Sequence, residues 1–331
     1  MRTVASLIAM AVLVTLLAGC GGSGGGPTGT TPSDVASVLT GAVTGQGVLP
    51  HALVGKIAFS STRFDNYNYD IYVMNADGTG VTRLTRNPAW DGEPSWSPDV
   101  TKIAFTSERA GTGNLDIYAI NADGNGVTRL TRNPADDYHP TWSPDGTKIA
   151  FASDRVVDHN GEIYVMNADG TGVTRLTHNA ALSTQPAWSP DGTRIAFCRY
   201  LGVTAEIYAM NADGGGVTRL TYDPAWDGEP SWSPDGTYIA FCRHLGYLGN
   251  NPEIYLVSAA GGGEMQLTDN AASDRNPAWS PDGRKIAFVS NRTHRVHDEI
   301  YVMSATGTGV TRLTFGTANT NNAEPAWWAP H

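Results

Sequence analysis

The chain has 331 residues, with 22 Lys+Arg against 32 Asp+Glu and a formal net charge of −10. That acidic balance lacks the basic footprint of a DNA- or RNA-binding surface, so a nucleic-acid partner is excluded. Length alone would suggest two domains, but a repeat pattern overrides that estimate.

Residues 1–20 read as a targeting segment. Arg2 supplies the positive start, and Leu7 to Leu17 is an apolar run too short to span a bilayer comfortably. It ends in Leu17-Ala18-Gly19-Cys20, which resembles a bacterial lipobox and implies cleavage before Cys20 with lipid on its thiol. An ordinary cleaved secretory signal is the alternative. Gly21 is not the Asp that resembles an inner-membrane retention signal, so the resemblance points to the outer membrane, with the head on the periplasmic or extracellular side. Residues 21–50, rich in Gly, Ser, Thr and Pro at their start, read as a flexible tether.

Residues 51–331 hold six copies of one pattern. It reads P-x-W-S-P-D-G-x-x-I-A-F, then a variable stretch, an acid, and I-Y-V-M-N-A-D-G-x-G-V-T-R-L-T. The Ile-Tyr pair starts at Ile71, Ile117, Ile163, Ile207, Ile254 and Ile300, in steps of 46, 46, 44, 47 and 46. Four short strand-like runs at that period predict the blade of a β-propeller. Strand A carries Pro-x-Trp, and Ser-Pro-Asp-Gly closes the A–B turn. Strand B is the Ile-Ala-Phe run and strand C the Ile-Tyr run, both apolar on both faces as stacked blades require. Asn-Ala-Asp-Gly makes the C–D hairpin. Pro beside strand A places it on the inner edge, and Thr with Arg83, Arg129, Arg175, Arg219 or Arg312 marks strand D as a protected outer edge.

The first copy opens with strand B at Lys56-Ile57-Ala58-Phe59, and Glu324-Pro325-Ala326-Trp327 supplies a surplus strand A at the other end. Joining the two predicts an all-β fold: a six-bladed propeller of four-stranded antiparallel blades, closed by the C-terminal strand entering the N-terminal blade. The departures at Asp99-Val100, Ala259-Ala260-Gly261 and Trp328-Ala329-Pro330 remove no strand.

These copies resemble the propeller repeats of TolB-type proteins over essentially all of residues 56–328. The resemblance implies the fold more firmly than a function, because related repeats serve interaction proteins, peptidase gates and a polysaccharide lyase. TolB itself has a further α/β domain ahead of its propeller. A tether occupies that place here, so that domain's docking role is not carried over.

The variable B–C and D–A loops share one face, where function is expected. The residue before the strand-A proline is polar in every copy: Glu93, His139, Gln185, Glu229, Asn276 and Glu324. These read either as a ligand-facing channel mouth or as solvated loop ends. Two identical loops put Trp90 and Asp91 opposite Trp226 and Asp227 across the mouth. They suit gripping a basic peptide or a sugar, or each tryptophan packs on its own blade. Three Glu and one His near one axis also raise Ca²⁺ or Mg²⁺ at the channel; otherwise no cofactor is expected. Each copy has an arginine after strand B (Arg63, Arg109, Arg155, Arg199, Arg243, Arg292) and an acid before the Ile-Tyr (Asp70, Asp116, Glu162, Glu206, Glu253, Glu299). Recurrence in all six copies reads as a structural clamp pairing the two across the B–C loop. Cys198 and Cys242 share one repeat position and read as small buried filler, with a bridge as the alternative.

No nucleophile elbow, metalloprotease helix or phosphate loop is present. Two functions follow. One is a monomeric, non-catalytic lipoprotein presenting its mouth to an envelope protein or peptidoglycan-linked partner. The other is a metal-assisted lyase or lactonase acting on acidic sugars at the same place.

Overall fold

The computed structural model describes residues 55–65, 68–111, 113–156, 160–244, 251–293, 296–316 and 320–328. Cys20, the signal segment and the tether lie outside them.

The strands follow the repeat. The first unit has β1 (Lys56–Asp65), β2 (Asn68–Asn75) and β3 (Thr82–Arg83). Next come β4 (Asp91–Trp96), β5 (Lys102–Ser107), β6 (Asp116–Asn121) and β7 (Thr128–Arg129), then β8 (Asp137–Trp142), β9 (Lys148–Ser153), β10 (Glu162–Asn167) and β11 (Thr174–Arg175). The fourth unit is β12 (Ser183–Trp188), β13 (Arg194–Leu201), β14 (Thr204–Asn211) and β15 (Thr218–Arg219). The fifth is β16 (Trp226–Trp232), β17 (Tyr238–His244), β18 (Pro252–Ser258) and β19 (Met265–Gln266). The last is β20 (Asp274–Trp279), β21 (Lys285–Ser290), β22 (Glu299–Ser304) and β23 (Thr311–Arg312), followed by β24 (Asn322–Trp328).

Within each unit neighbouring strands pair antiparallel in chain order, as the alternating turns require. β24 supplies the strand the first unit lacks, with Lys56 opposite Trp328 and Ile57 opposite Trp327. The described strands form five hydrogen-bonded sheets, four of four strands and one of eight. The eight-stranded sheet is two such units tied by a single parallel pair, Ala205 with Trp226. The sheets thus number five, against the six blades expected.

The first strands lie against one another in succession: β24 with β4, β4 with β8, β8 with β12, β12 with β16, β16 with β20, and β20 with β24. The core runs between units. Phe105, Ile103 and Tyr118 of the second unit pack on Ile71, Val73 and Leu84 of the first, and Ile57 and Phe59 pack on Ile300, Val302 and Leu313 of the last. The six phenylalanines of the Ile-Ala-Phe runs are all fully buried. Each contributes roughly 1.5–3 kcal/mol of transfer free energy, so the apolar seams hold the units together.

The turn chemistry holds even where the motif departs from it. Val100 stands where other copies have glycine, yet it adopts φ 63 and its N–H still bonds the Ser97 carbonyl at 2.9 Å. A β-branched residue is strained there. Its side chain packs against the cluster between the first two units, which offsets part of that strain.

Cys198 and Cys242 are free and buried, not bridged.

Candidate functional site: an acidic girdle at the inner strands

Each inner strand carries a bulge between its pairing to the second strand and its proline, such as that between Gly92 and Ser95. The residue before the proline takes a left-handed backbone there: Glu93, His139, Gln185, Glu229, Asn276 and Glu324 all have φ between 51 and 57. A residue before proline normally prefers extended backbone, so the repeated exception needs a compensating interaction.

Hydrogen bonds between units supply it at four of the six positions. The Glu93 N–H donates to Glu324 Oε2 at 2.6 Å, and the His139 N–H donates to Glu93 Oε2 at 2.6 Å. The Glu229 N–H donates to Gln185 Oε1 at 2.9 Å, and the Asn276 N–H to Glu229 Oε2 at 2.6 Å. His139 continues the line through Nδ1, 3.1 Å from Thr184 Oγ1, and its Nε2 lies 3.0 Å from Glu93 Oε1. The residues predicted to face a ligand are therefore first a girdle that ties one unit to the next. The Glu93 and His139 side chains remain 14% and 30% exposed, so their outer edges still meet solvent.

A second layer was missed from the sequence. Thr106 Oγ1 donates to Glu93 Oε2 at 2.7 Å, and Ser60 Oγ donates to Glu324 Oε2 at 2.7 Å. Cys242 holds the same repeat position in the Glu229 copy, with its thiol 3.8 Å from the Asp274 carbonyl oxygen. These residues follow Ile-Ala-Phe, the repeat position at which Cys198 and Cys242 read as filler. In the three glutamate copies that residue carries a hydroxyl or thiol, as does Cys198 in the Gln185 copy, whereas Ala152 and Val289 accompany His139 and Asn276. That correlation was legible in the chain.

Charge is concentrated in the girdle. Burial alone would raise Glu93, but the charge and hydrogen bond of His139 hold it below the usual carboxylate range. Burial would lower His139, and Glu93 outweighs it, so His139 is raised. Burial and repulsion from Glu93 push Glu324 up to about 7, and burial raises Glu229 as well.

The two tryptophan loops do not form the grip that their sequence suggested. Asp91 and Asp227, expected at the mouth, are 0% exposed. Asp91 accepts from Ser107 Oγ and from Arg109 Nη2, both at 2.6 Å, and Asp227 takes Arg243 Nε and Nη2, both at 2.7 Å. Trp90 and Trp226 lie over Gly92 and Gly228, where a Cβ would overlap the indole ring. Trp226 also meets the ring of His244 edge-on, with centroids 4.6 Å apart. No ring contact joins Trp90 to Trp226 among the described residues. Trp90 packs on its own unit, whereas Trp226 also meets Tyr200 of the fourth unit edge-on, with centroids 6.4 Å apart, beside the Ala205 pairing that ties the two units.

The clamp residues are structural, but their partners differ from the expected ones. Arg109 binds Asp91 and not Asp116, and Arg155, Arg243 and Arg292 likewise bind Asp137, Asp227 and Asp274. The acids before the Ile-Tyr bind the outer-strand arginines instead: Asp70 with Arg83, Asp116 with Arg129, Glu162 with Arg175, Glu206 with Arg219 and Glu299 with Arg312. Glu253 has Gln266 in that arginine's place and accepts from Asn251 Nδ2 and the Asn270 N–H, both at 3.0 Å. The reason is local. Ser107, Ser153 and Ser290 Oγ hold Arg109, Arg155 and Arg292 Nε at 2.9 to 3.0 Å, which turns each guanidinium back towards the first strand, and Arg243 stands directly opposite Asp227. Arg63 and Arg199 have no aspartate opposite them; Asn322 and Ser183 stand there.

Comparisons with known proteins fit this geometry. A family model described as the TolB beta propeller domain matches residues 244–330, and one described as the Tricorn protease N-terminal beta propeller domain matches residues 156–264. TolB from Acinetobacter baumannii superposes with a TM-score of 0.72 at 23% identity, covering 88% of this chain and 69% of that one. The fold is a TolB-type β-propeller. A putative TolB from Agrobacterium tumefaciens gives 0.65 at 22%, covering 83% and 99%. An oligogalacturonate lyase in complex with manganese gives 0.52 at 16%, covering 80% and 74%. No curated protein matches the chain.

In this TolB-type propeller the girdle carboxylates are committed to hydroxyls and N–H groups of the ring. Among the described residues, no group of three or more His, Cys, Asp or Glu is arranged to hold a metal ion.

Proposed function

We propose that the chain is a non-catalytic binding propeller of the cell envelope. Its units form a six-bladed ring, closed where β24 enters the first blade. The ring is held near a membrane by lipid on Cys20 and a tether, and it works as a monomer. The girdle end of the channel receives a basic segment of an envelope protein or peptidoglycan-linked partner. One observation carries this reading. Glu93, Glu229 and Glu324 are partly exposed acids fixed in place by N–H donors of the neighbouring units or by hydroxyls. Such preorganised carboxylates attract a cationic segment, whose charge in turn favours the ionised form of the two raised ones, Glu229 and Glu324. The same commitment of the carboxylates leaves the lyase-like alternative supported by fold alone.

Capture from detergent-solubilised envelope membranes tests this. The full chain is compared with a triple Glu→Gln variant at 93, 229 and 324, which keeps the acceptors and removes the charge. Loss of at least about tenfold in captured partner is expected, equal to about 1.4 kcal/mol. Capture of the same partner at full yield would remove the girdle from the interface.

A further inference from the structure

The clamp arginines offer an internal control. Four of them place a terminal nitrogen on a buried aspartate of the inner strand, at 2.6 to 2.8 Å. In the first unit Asn322 replaces that aspartate, and its Oδ1 still accepts from Arg63 Nη2 at 3.0 Å. The fourth unit breaks the series. Ser183 holds the position, is fully buried, and its hydroxyl reaches only Arg199 Nε, at 3.3 Å. Among the described residues, the two terminal nitrogens of Arg199 have no hydrogen-bond or ion-pair partner.

The guanidinium is nevertheless held where its counterparts are. It lies 5.0 Å from the Phe197 ring and 4.7 Å from Tyr208, as Arg109 lies 4.9 and 5.2 Å from Phe105 and Tyr118. Glu162 is in the same junction, but its carboxylate is taken by Arg175, Thr177 and the Asn179 N–H. Burial pulls Arg199 below the usual arginine range. At Arg243 burial acts in the same sense but is outweighed by Asp227 and Glu264. The cation is in place, and the carboxylate group by which aspartate differs from serine is missing. The terminal nitrogens of this partly exposed guanidinium are not among the buried polar atoms, so a ligand can reach them, and their planar fork matches one ligand shape best.

We propose that Ser183 and Arg199 form a carboxylate-binding site. It takes an acetate-sized planar anion, free or at the tip of a partner's acidic side chain. That group occupies the place of the Asp227 carboxylate in the next unit and accepts from the Arg199 terminal nitrogens. This site stands independently of the girdle reading.

Thermal melts of the full chain in sodium formate against sodium chloride, at equal ionic strength, test it. Formate at about ten times its dissociation constant is expected to raise the midpoint by about 2–4 °C over chloride. Ser183→Asp supplies the carboxylate internally and should abolish the increment. Glu206 and Asp227 show that two acids fit such a junction. Arg199→Gln should abolish it too. N-acetylglutamic α-amide is the second probe. A matching shift assigns the site to a partner's side chain, and a shift with formate alone assigns it to a small free anion; both support it. No increment in the unmodified chain, or an equal increment in Ser183→Asp, would overturn it.

Discussion

Replacing Asp227 with alanine should destabilise the protein by about 3–5 kcal/mol, because it leaves the Arg243 guanidinium buried without its principal counter-ion. The carboxylate is fully buried and takes two donors from Arg243, which is itself 5% exposed. Glu264 on the other side, 2.6 Å from Nη1, offsets only part of the loss. In a protein of this size the thermal midpoint should fall by roughly 10 °C. The rim reading of Asp227 makes the opposite prediction: unchanged stability with weakened capture. Calorimetry of Asp227→Ala, beside Trp226→Ala as a packing control, separates the two.

The second large effect is on pH. Glu324 has a folded pKa of about 7 against an ordinary value of 4.5. Between those values the unfolded chain has released a proton that the folded chain keeps, so stability falls as pH rises, and above about 7 the full penalty remains. Glu229 is raised and acts in the same sense. His139 is also raised, so its contribution is complete below about 6.5 and is lost as pH climbs through its folded value. Glu93 is depressed; its contribution is present above the ordinary carboxylate value and is lost only in stronger acid. The midpoint should therefore be highest near pH 5 and decline towards pH 8. Glu324→Gln should flatten that decline and gain on the order of 2 kcal/mol at pH 8. Its amide can still accept the Glu93 N–H. A midpoint that rises from pH 5 to pH 8, or a slope that Glu324→Gln leaves intact, would contradict this assignment of charge.

Much of the fold was legible because the repeat states it six times. The missing strand before Lys56 and the surplus one at Glu324 to Trp327 predict the pairing that β1 and β24 make. The site was legible in part. Polarity at the position before proline marked the girdle, but its left-handed backbone was hidden, since proline ordinarily pushes its predecessor towards extended conformations. The clamp partners were misread because sequence proximity across the B–C loop is a poor guide to reach once a serine hydroxyl redirects the arginine. Asp91 and Asp227 were drawn to the mouth by the tryptophans beside them. The better signal was Asp137 and Asp274 at the same repeat position without any tryptophan, which marks the aspartate as part of every such blade.

The most direct test of the binding face is photo-crosslinking in living cells, with a benzoylphenylalanine placed in turn at Trp90, Trp226 and, on the opposite hairpins, Asp123 and Asp169. The account predicts one shared adduct from the two tryptophan positions, weakened when Glu93, Glu229 and Glu324 are changed to glutamine, and none from the hairpins. Adducts from the hairpin positions alone, or mouth adducts indifferent to the three glutamates, would contradict it.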